Sequence, residues 1–270
     1  MSILGNRVLR REDPAFLTVG AKYTADLDAP LLNNAAIVTY VRSTMAHAKI
    51  SVDVTEAQNM PGILAAIVAS DLDGPTILSG GNPLFPEPMV NRPILATDTV
   101  RFVGECVAVI VSETAEQGAD AAEAVFIDYE PLPVVVDMEE ASKDEDLIYE
   151  EVGTNVVFDF STNGMATGIS DDSFFSSCDV VVSGRVEHQR TSAAPLEVRS
   201  AAAAWDGNKL VFWISNQGPQ GVKGLLNSFY GEQATEGIQV IIPDVGGGFG
   251  AKISPYPEDV LLPWLAKHVG

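Results

Sequence analysis

Short β-rich segments alternating with short helical ones, and a change of composition midway, predict an α+β chain of two domains. At 270 residues, 46% of them hydrophobic and 20% charged, the chain is long enough for one large or two ordinary domains with real cores. The change comes where an acid-rich run at 139–151 gives way to a polar, glycine-containing stretch at 161–177. Few apolar anchors lie there, so a boundary is expected near residue 145, dividing domains 1–145 and 146–270.

In chain order, 36–41 and 63–68 have strand composition, separated by a turn of helix at 55–59 and a Pro61-Gly62 break. Residues 71–97 are rich in glycine and proline and are expected to form a long surface loop. Then 106–111 reads as a buried strand, 113–124 as an alanine-rich amphipathic helix and 125–129 as a second strand, a strand–helix–strand unit. Beyond the boundary, 180–188 and 200–205 are expected strands, and Asp206-Gly207-Asn208 supplies hairpin chemistry into 209–215. Helical spacing at 220–230 puts Val222, Leu225, Leu226 and Phe229 on one face. A β-rich stretch at 238–242 follows, and a helix opens at 258–268 that Pro263 is expected to kink.

Bulk charge excludes some partners. With 16 basic against 37 acidic residues and a net charge of −21, neither nucleic acid nor an anionic membrane is expected as the main partner. Cys106 and Cys178 have no zinc or iron–sulfur spacing and read as reduced thiols. Residues 1–14 are polar where a secretory peptide needs an apolar core, and no run of about 18 apolar residues occurs, so a soluble, cytoplasmic chain is expected. The helix at 258–268 has little sequence after it to pack against, which raises the expectation of a fragment or a split subunit.

Two constellations carry chemistry. The run Asp244-Val245-Gly246-Gly247-Gly248-Phe249-Gly250-Ala251-Lys252 is dense in glycine, which lets a ligand approach the main chain while successive N–H groups converge on an anion or a metal oxo group. Phe249, the one aromatic there, suggests a pocket wall. The spacing of Gly246, Gly248 and Gly250 is not that of a dinucleotide fingerprint, and no phosphate-loop Lys-Ser or Lys-Thr pair follows, so nucleotide binding is disfavoured. A tight turn without ligand stays open beside the cofactor-facing loop. The second constellation is 188–199, where Gln189 can donate to an oxo group without titrating and Glu197 and Arg199 are expected to brace the loop as a bidentate pair. Gln189 as an ordinary surface group is the competing reading. His188 and His47 have no partner at ligand spacing.

Three segments in this order resemble the large subunit of the molybdenum hydroxylase family, which includes xanthine dehydrogenase, aldehyde oxidase and aerobic carbon monoxide dehydrogenase. The first is Arg42-Ser43-Thr44-Met45-Ala46-His47-Ala48-Lys49-Ile50 running to Met60-Pro61-Gly62, with Val103-Gly104-Glu105 and Tyr129-Glu130-Pro131-Leu132-Pro133 after it. The second is Gln189-Arg190 through Ala194-Pro195-Leu196-Glu197, and the third is 244–252. The opening, 5–13 and Tyr23-Thr24-Ala25-Asp26-Leu27, is similar to the start of this subunit in bacterial, multi-subunit enzymes.

The resemblance implies an α/β hammerhead domain followed by the first part of a mixed α/β molybdopterin-binding domain. It implies a molybdenum–molybdopterin cofactor in the cytosine dinucleotide form, with iron–sulfur clusters and FAD on partner subunits. Those partners are an iron–sulfur small subunit, an FAD-binding medium subunit and the polypeptide carrying the rest of the molybdopterin-binding domain.

By this carry-over, Gln189 hydrogen-bonds a molybdenum oxo ligand, and Gly247, Gly248, Phe249 and Gly250 meet the cofactor, the ring of Phe249 lining the substrate cavity. No side chain ligates the metal. The activity implied is hydroxylation of an aldehyde, N-heterocycle or purine, or oxidation of carbon monoxide, with water as the oxygen source. The family's general base lies beyond these residues, so the chain alone is expected to be inactive. Ala251 departs mildly from the family loop. The alternative is a non-catalytic assembly module that keeps the hammerhead domain without metal.

Overall fold

The computed structural model describes residues 4–5, 7–79, 90–157 and 172–270. They form two compact units, Ala36–Thr191, and Met1–Ala35 together with Ser192–Gly270. The expected sequence boundary near residue 145 falls inside the first of these spatial units. Helix α1 (Asp13–Thr18) buries no residue. The segment after it joins the second unit because Lys22 N donates to Asp244 Oδ2 (2.9 Å) and Asp244 N donates to Lys22 O (3.1 Å).

The unit Ala36–Thr191 contains β1 (Ile37–Arg42), β2 (Ala48–Asp53), α2 (Thr55–Gln58), β3 (Ile63–Val68), β4 (Ile77–Ser79), β5 (Asn91–Pro93), β6 (Thr99–Val100), β7 (Cys106–Ser112), α3 (Ala115–Glu123), β8 (Phe126–Pro131) and α4 (Met138–Ala141). Strand β7 is buried at every position and apolar from Cys106 to Val111, as its place between β1 and β3 requires, with α3 packed over the sheet. The other main sheet has the order β6-β2-β8. In β2 the burial alternates, Ala48, Ile50 and Val52 inward and Lys49, Ser51 and Asp53 outward, the period of a strand with one wet face. Both sheets feed one core, in which Ala48 and Val100 meet Val107, Ile110 and Ala121.

Two expectations change here. Strands β7 and β8 flank α3 in sequence but enter different sheets, so they do not form a strand–helix–strand unit within one sheet. The stretch 71–97 is not wholly surface loop: β4 and β5 pair antiparallel, and Ile94, Leu95 and Ala96 are buried. Main-chain bonds draw them in, Ile94 N donating to Thr76 O (2.9 Å) and Ala96 N to Cys106 O (2.8 Å). Within 71–97, residues 80–89 lie outside the described residues, as do 161–171 of the polar stretch.

The motif segments of the N-terminal half meet in space. Ser43 N donates to Glu105 O and Gly104 N to Ser43 O, both 2.8 Å, beside a register shift where β1 leaves β7. Thr44 N donates to Tyr129 Oη (3.3 Å), and His47 Nδ1 bonds Pro133 O (2.6 Å), which makes His47 a satisfied structural histidine. Burial pushes the Glu105 carboxyl up, although its Oε2 accepts from Arg101 N (2.6 Å).

The second unit is built on β9 (Ala201–Asp206), β10 (Lys209–Ile214), α5 (Pro219–Tyr230), β11 (Ile238–Ile241) and α6 (Pro257–Val269). Strands β9 and β10 form the expected hairpin, and α5 is the crossover that returns β11 parallel to β10. Leu210, Phe212 and Ile214 of β10 pack with Val222, Leu226 and Tyr230 of α5. Helix α6 runs over β9 without a break, Pro263 inside it, and is tied to β9 by Trp205 Nε1, which donates to Pro263 O (2.8 Å), and to the end of α5 by Tyr230 Oη, which donates to Val260 O (2.5 Å).

Residues 180–188, expected as a strand, are irregular and exposed, and no main-chain hydrogen bond pairs them with any described residue. Among the described residues no helix is long and apolar enough to cross a membrane.

Gly118 offers a test of the packing between α3 and the β1–β7–β3 sheet. An alanine Cβ there would stand 2.6 Å from both Ser112 Oγ and Thr39 Oγ1. Glycine to alanine inside a helix ordinarily stabilises by about 0.5–1 kcal/mol, but overpacking costs roughly 1–3 kcal/mol. Ser112 Oγ is held by Thr114 O (2.8 Å) and cannot yield freely. Gly118→Ala is expected to lower stability in denaturant titration; a gain would show that the helix stands further off the sheet.

Candidate functional site

Because β10 and β11 run parallel, their C-terminal ends lie at the same edge of the sheet, where open α/β sheets place ligand-binding loops. After β10 comes Ser215-Asn216-Gln217, then Gly218 and α5; after β11 comes the glycine run to Lys252. The two loops are stitched together. Gln217 N donates to Lys252 O (2.8 Å), and Gln217 Oε1 accepts from Gly250 N (3.1 Å). A Cβ at Gly248 would lie 2.4 Å from that same Oε1, so glycine there is a requirement of close approach.

Beneath the run sits a buried hub. Glu197 Oε2 accepts from Gly246 N, Ser215 Oγ and Lys252 Nζ, each at 2.7 Å, and Lys252 Nζ also donates to Glu197 O at 2.8 Å. The side chain of Lys252 is 0% exposed and that of Glu197 9%. Burial pushes the Glu197 carboxyl up, but the bonds from Lys252, Ser215 and Gly246 outweigh it and hold it below its ordinary value.

The expected Glu197–Arg199 pair is therefore absent, because Lys252 takes the carboxylate. Arg199 instead stacks on the Tyr256 ring (3.6 Å) and faces the start of α6, with Nη2 3.3 Å from Glu258 Oε1 and Nη1 3.9 Å from Asp259 Oδ2. Burial raises Asp259 to about 6 against the Tyr256 N–H and Arg199.

The upper face of the run is open. Gly247 (φ 94°), Phe249 (φ 48°) and Gly250 (φ 91°) are left-handed, while Gly246 and Gly248 are not. Such alternation turns consecutive N–H groups toward a common point. The N–H groups of Gly247, Gly248 and Phe249 have no acceptor among the described residues. The ring of Phe249 folds over Gly247, where a Cβ would meet it at 2.7 Å, and the residue is 76% exposed. Phe249 is thus not a core anchor. On the lower side, the cavity lined by Arg199, Ser200, Ser215, Asn216, Lys252 and Asp259 is about 10 Å³, room for one water.

Gly247, Gly248, Phe249 and Gly250 thus share one loop, whereas Gln189 lies in an exposed, irregular stretch of the other compact unit. Gln217 and the Glu197–Lys252 pair escaped the sequence reading. Their signals were a polar Ser-Asn-Gln step ending an apolar strand and a lone lysine closing a glycine run.

A family model described as aldehyde oxidase and xanthine dehydrogenase, a/b hammerhead domain, matches residues 18–133, and one described as molybdopterin cofactor-binding domain matches residues 148–270. The chain is 33% identical over 99% of its length to the nicotine 6-hydroxylase large subunit of Paenarthrobacter nicotinovorans. It is 31% identical over 94% of its length to the carbon monoxide dehydrogenase large chain of Afipia carboxidovorans. It covers 32% of each, and so spans about a third of the length of the curated relatives it matches. Among solved structures, quinoline 2-oxidoreductase from Pseudomonas putida 86 superposes with a TM-score of 0.84 at 31% identity, over 100% of this chain and 34% of that one.

Removing the cation from the hub should be severe. Lys252→Met leaves a buried carboxylate without its partner, expected to cost about 3–5 kcal/mol in denaturant unfolding, and adding Glu197→Gln should restore part of it. An effect under about 1 kcal/mol, the range of an exposed pair, would show that the hub is solvated. The two shifted acids act in opposite directions with pH. Glu197, depressed in the fold, contributes stability above its ordinary value of 4.5 that is lost as pH falls through its lower folded value. Asp259, raised, holds a proton more tightly folded than unfolded, so its contribution weakens as pH rises from 3.8 to about 6. Asp259→Asn is expected to flatten the stability profile in that upper window; an unchanged slope would assign it to another group.

Proposed function

Since the chain belongs to the molybdenum hydroxylase large-subunit family, we propose that it supplies one wall of the molybdenum cofactor site in an enzyme that oxidises an aldehyde, N-heterocycle, purine or carbon monoxide with water as the oxygen source. The observation that carries this reading is the glycine loop, held from below by Glu197, Lys252 and Gln217 and presenting three N–H groups that have no acceptor among the described residues. Those donors fit an oxo-bearing, anionic group. The cofactor, when bound, supplies two-electron oxidation and the acidity of its own water.

In this reading Gly247, Gly248 and Phe249 bind through their backbone. The Phe249 ring excludes water and shapes the substrate cavity, and Gly250 keeps the turn. Gln189 donates from a neutral amide that stays a donor at any pH, which suits a dry site where charge develops. The Glu197–Lys252 pair touches neither substrate nor cofactor; it fixes the height of the loop. The proposed cofactor is the cytosine dinucleotide form, with electrons passing to an iron–sulfur small subunit and an FAD-binding medium subunit. A boundary between domains near residue 145 is part of the proposal and is supported by the gap between the two family matches, 133 to 148.

The test is metal and pterin analysis, with turnover, on protein isolated with its natural partners. Gln189→Ala is expected to lower the rate about 10- to 1,000-fold, the range for losing one oriented donor, with molybdenum content retained. Full activity at full metal content would remove Gln189 from the site. Phe249→Ala should change the substrate profile while lowering stability by less than about 1 kcal/mol, since the ring is exposed. A loss of about 3–5 kcal/mol would make it a core anchor instead.

A further inference from the structure

The hub holds the glycine loop at Gly246 and, through Gln217 and Lys252, at its far end, but the residues that lead into it from β11 lie outside those bonds. Of residues 243–245, Pro243 has no N–H, and the N–H of Val245 has no acceptor among the described residues. Asp244 is bonded twice, both times to Lys22, 222 positions away in sequence. Lys22 N donates to Asp244 Oδ2 (2.9 Å), and Asp244 N donates to Lys22 O (3.1 Å). The foot of the loop is thus clasped to an N-terminal segment.

That segment is shaped for the contact. Tyr23 N donates to Asp26 Oδ2 (3.3 Å) and Asp26 N to Tyr23 O (3.0 Å), which closes a short 3-10 turn over Thr24–Asp26. Thr24 is buried, and the turn packs against β9. Tyr23 meets the loop itself: its Cε1 stands 3.2 Å from the point where a Cβ on Gly246 would be, and Glu197 Cβ stands 2.6 Å from the same point. Gly246 therefore lies between the Tyr23 ring and the side chain that accepts its N–H. The hammerhead family match begins at residue 18 and so takes in 22–26, but in space these residues belong to the unit that carries the loop.

We infer that residues 22–26 are a strut for the glycine loop, with Asp244 and Tyr23 as positioning residues that act through the loop and not on the reacting atoms. The strut sets where Gly246 lies, and through it the direction in which the N–H groups of Gly247, Gly248 and Phe249 point. A run of glycines supplies no such constraint by itself, and oriented donors lose their value when the ligand has to reorient them. This rests on the functional reading above and goes beyond it by assigning the aim of the loop to the N-terminal segment.

The experiment uses the full chain isolated with its natural partners and follows amide hydrogen exchange at single-residue resolution, with turnover per molybdenum. In Asp244→Ala, exchange at the Gly246 N–H is expected to be about ten-fold faster or more, the consequence of losing a bond to a carboxylate. The β10 amides should keep their rates, and the melting temperature should shift by no more than about 4 °C, since the bond lost is exposed. Asp244→Asn keeps an acceptor for Lys22 N and should restore wild-type exchange. Tyr23→Ala should repeat the effect at Gly246 and Tyr23→Phe should not. In the metal-loaded protein, Asp244→Ala is expected to lower kcat about 10- to 100-fold with KM little changed, the signature of misplacement and not of lost binding. Unchanged exchange at Gly246, equal loosening of β10, an asparagine variant as impaired as alanine, or full kcat beside a loosened loop would each overturn the strut. Metal content separates this from the functional reading. Faster exchange at Gly246 in a protein that never holds molybdenum keeps the strut and sinks the cofactor site, while unchanged exchange at full metal content does the reverse.

Discussion

The C-terminal unit turns on one carboxylate. Glu197 takes hydrogen bonds from the β10 end through Ser215, from the glycine run through Gly246 and from the end of that run through Lys252. Replacing a buried pair of this kind by apolar groups is often neutral or stabilising, because desolvation offsets the Coulomb gain. Stability is therefore a poor reason for its presence. Its geometric effect is larger: three chain segments distant in sequence meet one oxygen, and the loop between Gly246 and Lys252 has its ends fixed. A loop of glycines has little conformational preference of its own, so its shape has to be imposed from outside. Oriented backbone donors act as a preorganised site only when they do not have to be reoriented by the ligand.

The hub also explains why Phe249 tolerates a left-handed backbone, φ 48°, although it has a side chain. Non-glycine residues in this region carry strain of order 1–3 kcal/mol and persist where the surroundings over-determine them. Here the bonds of Gln217 to Gly250 and to Lys252 lie on one side and the Glu197 contact to Gly246 on the other, leaving few ways to close the turn. The aromatic ring is held up over Gly247 as a consequence.

Elements with a local signature were legible in sequence. The fully apolar run of β7, the helical spacing of α5 and the Asp206-Gly207-Asn208 turn all declare themselves within a dozen residues, and each is found. The glycine loop was legible as a segment of special backbone because glycine density is itself unusual, and Gly247 and Gly250 do take left-handed conformations. What was not legible depends on partners far along the chain. Glu197 has Arg199 two residues away and Lys252 fifty-five away, and only the fold decides between them. Residues 94–96 look like the end of a glycine- and proline-rich loop, yet a bond to Cys106 O makes them core. The hammerhead motifs are a further case. His47, Tyr129 and Glu105 suggest chemistry by residue type, but His47 bonds a backbone carbonyl, Tyr129 accepts a backbone N–H and Glu105 closes its own turn through Arg101 N. Their specificity as a family signature comes from the fold they knit and not from a site.

The stretch at 180–188 shows the opposite kind of failure, a strand composition that the structure leaves irregular and exposed. Strand propensity measures how well a side chain fits a pleated, half-buried surface, and such a surface exists only when a neighbour provides it. Composition alone therefore does not make a strand where no described residue pairs with the main chain. The same reasoning applies to the glycine loop. Its donors are in place and unpaired, Phe249 stands in solvent, and the small cavity below holds no more than a water. In both stretches the chain leaves backbone N–H groups without an acceptor among the described residues.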